Sequence, residues 1–525
     1  MKFKIPTIVK SHFEKKKEVL LIMEGTYPYN TGGVSTWAHS LCQKLDDFDF
    51  TLYSINGNFE TKLKYNLSDN VKNIIQVPLW SLEEPQSYIH YGKEYYKVVR
   101  KKEQTSDIVV AEKFVPIFKR LVVSVLNETY KISDIDAIFK DMWQFFQQYD
   151  YETTMKNKYI WQVFKDVIHD FSIKQKTVHI SLQDITIGMR WFFHFLLPIS
   201  IDIPKKDISH ITLSGFPVIP ALILNYKYNT PIVVTEHGVY IRERLIAISA
   251  SDYSYFLKDL LIKFSECITR LVYYKADKIL SVNKFNKTWE VMYGADPAKI
   301  EVIYNGIDHN EFKPRPKPKH LQNVPTVVAA ARIFELKDII TMIKSCAVVK
   351  REISNVKYII YGNKDAVPEY TEKCEALIIE MGLQDNFVLA GFHDQPHLIY
   401  SEGDISILTS ISEGFPYTVI ESMSCGVPVV STDVGGVTEA IDESTGFVCK
   451  PKDHEDIGEK VIKLLKDEKL RNLMGENSRK KVLENFTIKT FTDAYAHVYK
   501  SMTTKKDIRI VGRPQNREVK NHSLT

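Results

Sequence analysis

The sequence lacks several features that would have assigned the protein to other classes. Its six cysteines are scattered over 525 residues without CxxC or zinc-type spacing, which predicts reduced thiols in a cytosolic protein and excludes a disulfide framework. Its most apolar stretch, WFFHFLLPIS at 191–200, contains His194 and Pro198 and falls well short of the roughly 20 residues of a membrane span. The first apolar run, Val19–Met23, is too short for a signal peptide. We therefore predict a soluble, cytoplasmic protein.

The chain also lacks a strong excess of charge. Its formal net charge is +4, and the segment 505–525 alone holds six Lys/Arg against two acidic residues. The rest of the chain is close to neutral, which argues against a dedicated nucleic-acid-binding protein. We expect the basic tail to be a frayed, solvated end. A weak contact with an anionic membrane surface, which would place the protein peripherally at the inner face of the membrane, is the alternative.

The sequence does contain short β-branched runs that alternate regularly with helical patterns. Such alternation predicts βαβ units and a parallel sheet that is covered on both faces. In the C-terminal half we expect the strands at 326–331, 357–362, 386–391, 405–410 and 427–432, a continuous helix over 453–486 and a further helix after it.

The N-terminal half begins with the same alternation of strands and helices, but the alternation is then interrupted. After a strand, a glycine loop, a helix and a strand at 50–56, the pattern resumes only at 210–215, 231–238 and 278–283. The stretch between, about 80–175, has a helical character and is predicted to be an insertion. Residues 309–325 are rich in proline and charge, as in a linker. We predict an α/β protein with a first doubly wound domain at 1–314, a second at 315–486, a C-terminal helix at 487–504 that packs back towards the first domain, and a basic tail at 505–525.

Two adjacent glycines, Gly32 and Gly33, stand in EGTYPYNTGGVSTW (24–37), where the first strand passes into the first helix. In open α/β sheets, ligands bind at the carboxyl ends of the strands. Glycines there allow the backbone to approach a ligand, and the start of a helix favours phosphate. A steric device without a ligand is the other interpretation of this turn.

A second group of polar residues lies in SEGFPYTVIESMSCGVPVVSTDVGG (412–436). Glu413 falls in a strand-to-helix loop, Pro416 suits the first helical turn, and Glu421 lies one turn beyond Tyr417. Carboxylates accept hydrogen bonds from hydroxyl pairs of a ribose or a hexose, and the helix start favours a diphosphate.

Two cations, Arg332 and Lys337, follow the predicted strand at 326–331. A guanidinium and an ammonium five residues apart can neutralise a diphosphate leaving group. The two DxD strings, at 47–49 and 134–136, do not follow strands, and we expect them to be solvated surface and not metal ligands.

Taken together, these motifs resemble those of the retaining glycosyltransferases of family 4, which have the GT-B fold. The resemblance rests on the E-x7-E spacing of Glu413 and Glu421, on Arg332 and Lys337, on the glycine loop and on VIYNGID (302–308). It covers about residues 18–45 and 207–500. The segments 24–41, 235–244 and 412–441 resemble more narrowly the PelF-type enzymes, which take part in the synthesis of Pel, an exopolysaccharide of biofilms.

The resemblance implies two facing Rossmann-like domains, a UDP-sugar donor and no metal or other cofactor. It assigns the transferred hexose to Glu413 and His237, and the departing diphosphate to Arg332 and Lys337. The remaining implied donor-binding residues are Gly32 and Gly33 (distal phosphate or acceptor), Gly414, Phe415 and Pro416 (sugar and phosphate), Glu421 (ribose) and His393 (base). One departure is that many relatives have glycine where this sequence has Ala331 and Asp338.

The implied function is metal-independent, retaining transfer of a hexose, by resemblance glucose, from a UDP-sugar to a growing exopolysaccharide. A different GT-B enzyme, an epimerase or a phosphorylase, is a second interpretation. A third, from another class, is a catalytically silent nucleotide-sugar-binding subunit that scaffolds a membrane polysaccharide synthase and export complex.

Overall fold

The structure is a computed structural model, and it describes residues 16–60, 62–81, 94–127, 130–175 and 180–511. These residues form two parallel β-sheets. The first has seven strands in the order β3-β2-β1-β4-β5-β6-β7, and the second has six in the order β10-β9-β8-β11-β12-β13. The strands are β1 Lys17–Glu24, β2 Phe48–Asn56, β3 Val71–Pro78, β4 Ile208–Ile211, β5 Ile232–Glu236, β6 Lys278–Ser281, β7 Ile300–Val302, β8 Thr326–Ala330, β9 Lys357–Tyr361, β10 Phe387–Gly391, β11 Ile405–Leu408, β12 Val429–Thr432 and β13 Gly446–Cys449.

Each sheet reverses its strand order once, beside its first strand: between β1 and β4 in the first sheet, and between β8 and β11 in the second. Connections leave in opposite directions on the two sides of such a point, so a crevice opens at the carboxyl ends of the strands. The loops that follow β1, β8 and β11 therefore flank the two crevices, and these loops carry most of the predicted site residues.

The central strand β1 shows why the first sheet is buried on both faces. Val19, Leu20, Leu21, Ile22 and Met23 are all fully buried. Because side chains alternate along a strand, Leu20 and Ile22 face one hydrophobic core, whereas the other three face a second core. A continuous apolar run is what such two-sided burial requires.

The helices cover both sheets. They are α1 Gly33–Lys44, α2 Tyr95–Gln104, α3 Asp107–Val109, α4 Val115–Asn127, α5 Ile132–Gln148, α6 Tyr151–Met155, α7 Lys158–Gln175, α8 Leu182–Leu196, α9 Val218–Tyr228, α10 Tyr240–Ala250, α11 Tyr255–Lys275, α12 Lys284–Met292, α13 Ile339–Glu352, α14 Pro368–Glu380, α15 Pro396–Glu402, α16 Tyr417–Ser424, α17 Val437–Ala440, α18 His454–Lys466, α19 Glu468–Asn485 and α20 Ile488–Val511.

Helices α2 to α8 all lie between β3 and β4, in the part of the chain where a helical insertion is predicted. The apolar faces of α3 to α8 share one core with Leu20 and Ile22 of β1, so this part of the insertion packs directly on the first sheet. Asp136 links the insertion to α9 and α11, because it accepts a hydrogen bond from Tyr226 (2.7 Å) and forms an ion pair with Lys275 (3.2 Å). The prediction that the 134–136 acids are solvated surface is therefore wrong for Asp136, which is held by residues of α9 and α11.

The last helix, α20, returns to the first domain. The indole Nε1 of Trp37 donates to the Tyr495 hydroxyl (3.2 Å), and the Tyr499 hydroxyl lies 2.6 Å from Nδ1 of His210. All four side chains are buried. Because α20 follows the second sheet in the chain and packs against the first, it ties the two domains together. The limits predicted for the domains and the insertion stay predictions, and residues 512–525 of the basic tail lie outside the described residues.

Two expectations about secondary structure differ from the structure. The helix predicted over 453–486 is wrong, because the chain breaks at Asp467, whose side chain caps α19 by accepting from the backbone N–H of Leu470. Strands β3, β7 and β13 were not predicted. All three lie at the edges of their sheets and are partly exposed. Strands β7 and β13 have only three and four residues, and polar residues interrupt the apolar pattern of the longer β3.

Three further observations bear on class. All six cysteines lie within the described residues, and they are buried and unpaired. Among the described helices, none combines the length and the hydropathy needed to cross a membrane. The segment 191–200 forms the buried end of α8 and a 3₁₀ turn.

Candidate active site

The glycine turn after β1 has the geometry that its sequence predicts. Gly32 adopts a φ of 150°, in the region that favours glycine, and Gly33 is the first residue of α1. A Cβ atom on Gly33 would lie 3.7 Å from the ring of Tyr417, which is the first residue of α16 in the second domain. The amino ends of α1 and α16 therefore meet across the space between the two sheets.

The loop after β8 carries the two predicted cations. The Arg332 guanidinium lies over the ring of Phe334, 4.9 Å from its centroid. Lys337 ends a 3₁₀ turn, and its ammonium forms an ion pair with Glu413. Asp338 adopts a left-handed conformation and caps α13 through its side chain. Aspartate tolerates this conformation better than most residues, so Asp338 fits the position where the family resemblance implies glycine.

The loop after β11 approaches the first domain closely. A Cβ atom at Gly414 would stand 1.7 Å from the carbonyl oxygen of His237, so only glycine fits. The backbone N–H of Gly436 donates to the Gly414 carbonyl (2.8 Å), and the Asn305 amide donates to the Phe415 carbonyl (2.8 Å). The Asn305 contact holds the 413–416 loop against the first domain, and the Gly436 contact fixes the loop within the second domain.

On the first domain, His237 follows β5 and faces this loop. Its ring packs edge-on against Trp37, with centroids 4.6 Å apart, and burial lowers its pKa to about 3. The imidazole is therefore neutral at physiological pH. Its Nε2 is buried and makes no hydrogen bond to any described residue. Next along the chain, Arg242 donates to the Ser412 hydroxyl (2.8 Å), which is another link between the domains.

These residues enclose one cavity of about 380 Å³ between the two domains. Eight of the eleven predicted site residues line it: Gly33, His237, Arg332, Lys337, Glu413, Gly414, Phe415 and Pro416. The volume falls within the range of roughly 300–1,000 Å³ that is usual for small-molecule sites. The structure thus gathers residues from positions 26 to 418 around a single space.

The other three predicted residues do not line this cavity. Gly32 lies one residue before its wall. The Glu421 carboxylate accepts a hydrogen bond from the Tyr400 hydroxyl (2.7 Å). Burial raises the pKa of this carboxyl to about 7, and the neighbouring Glu311 adds a smaller increase. His393 accepts from the backbone N–H of Gln395 (3.0 Å) and packs edge-on against Tyr361.

Sequence reasoning missed several residues of the wall. The most informative are Glu243, which follows the EHG motif, and Asn305, which lies inside VIYNGID. Both stand within segments that the sequence analysis singled out, but neither has a spacing that marks it as part of a site. No group of three or more His, Cys, Asp or Glu side chains with metal-binding geometry occurs among the described residues.

Comparison with known proteins identifies the two halves separately. Residues 17–298, more than half of the chain, match the family model described as a domain of unknown function, DUF3492. The chain belongs to the DUF3492 family. In this member, residues 310–481 also match the model "Glycosyl transferases group 1". That match confirms the glycosyltransferase class that the motifs predict.

Among curated proteins, this member of the family is 26% identical over 228 residues to the N-acetyl-alpha-D-glucosaminyl L-malate synthase of Bacillus anthracis, over 42% of this chain and 58% of that protein. The chain thus spans little more than half the length of this relative. Among solved structures, a sucrose-phosphate synthase from Thermosynechococcus elongatus superposes with a TM-score of 0.59 at 15% identity, covering 93% of this chain and 100% of that one.

Anabaena Alr3699/HepE, solved in complex with UDP and glucose, superposes with a TM-score of 0.57 at 14% identity, covering 92% of this chain and 99% of that one. Likeness at this level of identity concerns the fold. With the two parallel sheets, it confirms the predicted GT-B fold of two Rossmann-like domains.

Proposed function

We propose that the protein is a metal-independent, retaining glycosyltransferase of family 4 that moves a hexose, glucose in the first instance, from a UDP-sugar to a saccharide acceptor. The observation that carries this proposal is the cavity between the two sheets, where Arg332, Lys337 and Glu413 of the second domain meet Gly33 and His237 of the first. A structural neighbour supports the donor class, because Anabaena Alr3699/HepE was solved with UDP and glucose.

The two cations account for the chemistry at the leaving group. Transfer from a nucleoside diphosphate builds positive charge on the sugar ring and negative charge on the departing phosphate. Arg332 and Lys337, fixed on the loop after β8, stabilise that negative charge more in the transition state than in the ground state. The amino end of α16 adds backbone N–H groups and a positive dipole end to the same region.

The hexose then lies against Glu413, His237 and the 414–416 backbone. The Glu413 carboxylate is held by Lys337, so its remaining lone pairs accept from sugar hydroxyls. The unsatisfied Nε2 of His237 is the kind of buried group that a ligand hydroxyl satisfies, since an unpaired buried nitrogen costs roughly 1–3 kcal/mol. Glu421 binds the ribose hydroxyls after giving up or sharing its hydrogen bond with Tyr400, and His393 lies beside the base.

Retention follows from attack on the same face of the sugar that the diphosphate leaves. The acceptor oxygen forms the new bond to the anomeric carbon, the bond to the phosphate oxygen breaks, and that phosphate takes the proton of the acceptor. No protein nucleophile is required. Because two fixed cations neutralise the leaving group, no metal ion is required for that purpose either. In the cell, we propose a PelF-type role in exopolysaccharide synthesis on the cytoplasmic side of the membrane, close to a membrane synthase complex.

The test is release of UDP from UDP-glucose, measured with and without saccharide acceptors and in the presence of a chelator. We expect turnover that survives chelation and an α-linked product from the α-linked donor. Binding of UDP-glucose without turnover under every condition would favour the silent scaffolding subunit instead. A parallel thermal-shift screen ranks the donors, since a ligand at 100 times its Kd stabilises by about 2.7 kcal/mol.

A further inference from the structure

Glu243 is a carboxylate in the wall of the cavity to which the chemistry above gives no role. It lies in the first turn of α10, on the first domain, and lines the same cavity as Arg332, Lys337 and Glu413. No hydrogen bond or ion pair joins its carboxylate to any described residue. Burial and the neighbouring Glu413 raise its pKa, whereas the nearby Arg242 lowers it.

The position of this carboxylate is built into the loop that precedes it. Gly238, in the EHG motif, also lines the cavity, and a Cβ atom there would lie 2.1 Å from Oε1 of Glu243. The Glu243 carboxylate therefore occupies the space that a side chain at position 238 would need, and it would have to move to admit one. This arrangement gives a structural reason for the glycine at 238, which has no positive φ to account for it.

Charge separates the two walls of the cavity. The second domain provides Arg332 and Lys337, and its Glu413 is neutralised by Lys337. The first domain provides Glu243, whereas the neighbouring Arg242 donates to the Ser412 hydroxyl and does not line the cavity. An unpaired carboxylate repels a diphosphate, so the wall at Glu243 is unsuited to the nucleotide part of the donor. Carboxylates bind neutral polyols well, because each oxygen accepts hydrogen bonds from hydroxyl groups.

We propose that Glu243 binds the acceptor saccharide, accepting hydrogen bonds from its hydroxyl groups and holding the attacking sugar against the donor hexose. This inference rests on the proposed glycosyltransferase function and adds the acceptor side of the site to it. Gly238 is a positioning residue, which acts by leaving room for the Glu243 carboxylate.

The experiment compares Glu243→Ala, Glu243→Gln and Gly238→Ala with the unaltered protein. UDP release from UDP-glucose is measured in water and with maltose, cellobiose and N,N′-diacetylchitobiose, and the most effective saccharide is used for the variants. The matched control is Asp252→Asn, which alters an exposed acid just beyond α10 that does not line the cavity. Thermal unfolding verifies that every variant is folded.

We expect the ratio of transfer to hydrolysis to fall about ten- to hundredfold in Glu243→Ala, which is the effect of losing a hydrogen bond to a charged group. The loss should appear in the KM of the acceptor. Gly238→Ala should lower the same ratio, Glu243→Gln should lower it less than Glu243→Ala, and Asp252→Asn should leave it unchanged.

Two results would overturn the assignment of Glu243. The first is a transfer-to-hydrolysis ratio in Glu243→Ala equal to that of the unaltered protein, including the case in which both rates fall by the same factor. The second is a protein that hydrolyses UDP-glucose but is accelerated by none of the saccharides. Failure of the proposed function itself looks different, because the unaltered protein would then release no UDP at all, even in water.

Discussion

Replacing Gly414 by alanine is the most direct way to test whether the two domains build one site. A Cβ atom at this position would stand 1.7 Å from the carbonyl oxygen of His237, whereas ordinary contact begins at 3.4 Å. The two backbones would have to separate by about 1.7 Å to relieve the clash. Both sides of this contact line the cavity, so the separation falls between the hexose-binding groups of the two domains.

The size of the effect follows from this displacement. A misplacement of about 1 Å at a reacting centre can cost roughly a hundredfold in rate, so we expect kcat/KM for Gly414→Ala to fall by about two orders of magnitude or more. Stability should fall by about 1–3 kcal/mol, as is usual when one methyl group is forced into a packed contact.

The assay is steady-state UDP release from UDP-glucose, accompanied by thermal unfolding. Gly57→Ala is the matched control, since a Cβ atom there meets nothing within 4 Å and the residue has no positive φ. A Gly414→Ala variant with the kcat/KM of the unaltered protein would refute the reasoning, because it would mean that the approach of His237 to the 413–416 loop is not needed for turnover.

The remaining predictions concern the charged residues. Lys337→Ala should lower kcat by about 10²–10³-fold, the usual cost of losing one contact to developing charge, with circular dichroism unchanged; near-normal kcat would remove its assigned role. Glu421→Ala should weaken binding of UDP in calorimetry, and unchanged affinity would contradict the ribose assignment. Because folding raises the pKa of Glu421 from 4.5 to about 7, the folded protein holds this proton more tightly than the unfolded chain. Stability should therefore fall as pH rises between these values, and Glu421→Gln should lessen that fall; identical stability–pH curves would disprove it. Over the same range, affinity for UDP-glucose should rise with pH as the carboxylate ionises.

The features that the sequence predicted correctly are those with a local physical cause. The strand-to-helix turn at Gly32 and Gly33 follows from the freedom of glycine and from the apolar run before it. The five strands predicted for the second sheet follow from their β-branched runs. The edge strands β3, β7 and β13 escaped prediction because partial exposure weakens the apolar pattern that identifies a strand.

The residues of the candidate site also divide into those with a local sequence signal and those without one. Arg332, Lys337 and Glu413 could be nominated because each follows a strand, and the carboxyl ends of parallel strands meet at one edge. The resemblance to family 4 gave these three residues more specific predicted roles than their spacing alone did. Glu243 and Asn305 could not be nominated, since their contribution depends on how the first domain faces the second.

The amino-acid sequence by itself determined the alternation of strands and helices, the grouping of the strands into two domains and the chemical character of each loop. These features depend on neighbours within a few residues. Only the tertiary structure decided that the loops of both domains close on one cavity, that Gly414 touches His237, and that the Glu421 carboxylate points to Tyr400. Those features depend on contacts between segments that lie far apart in the chain, and local patterns of hydrophobicity carry no information about such contacts.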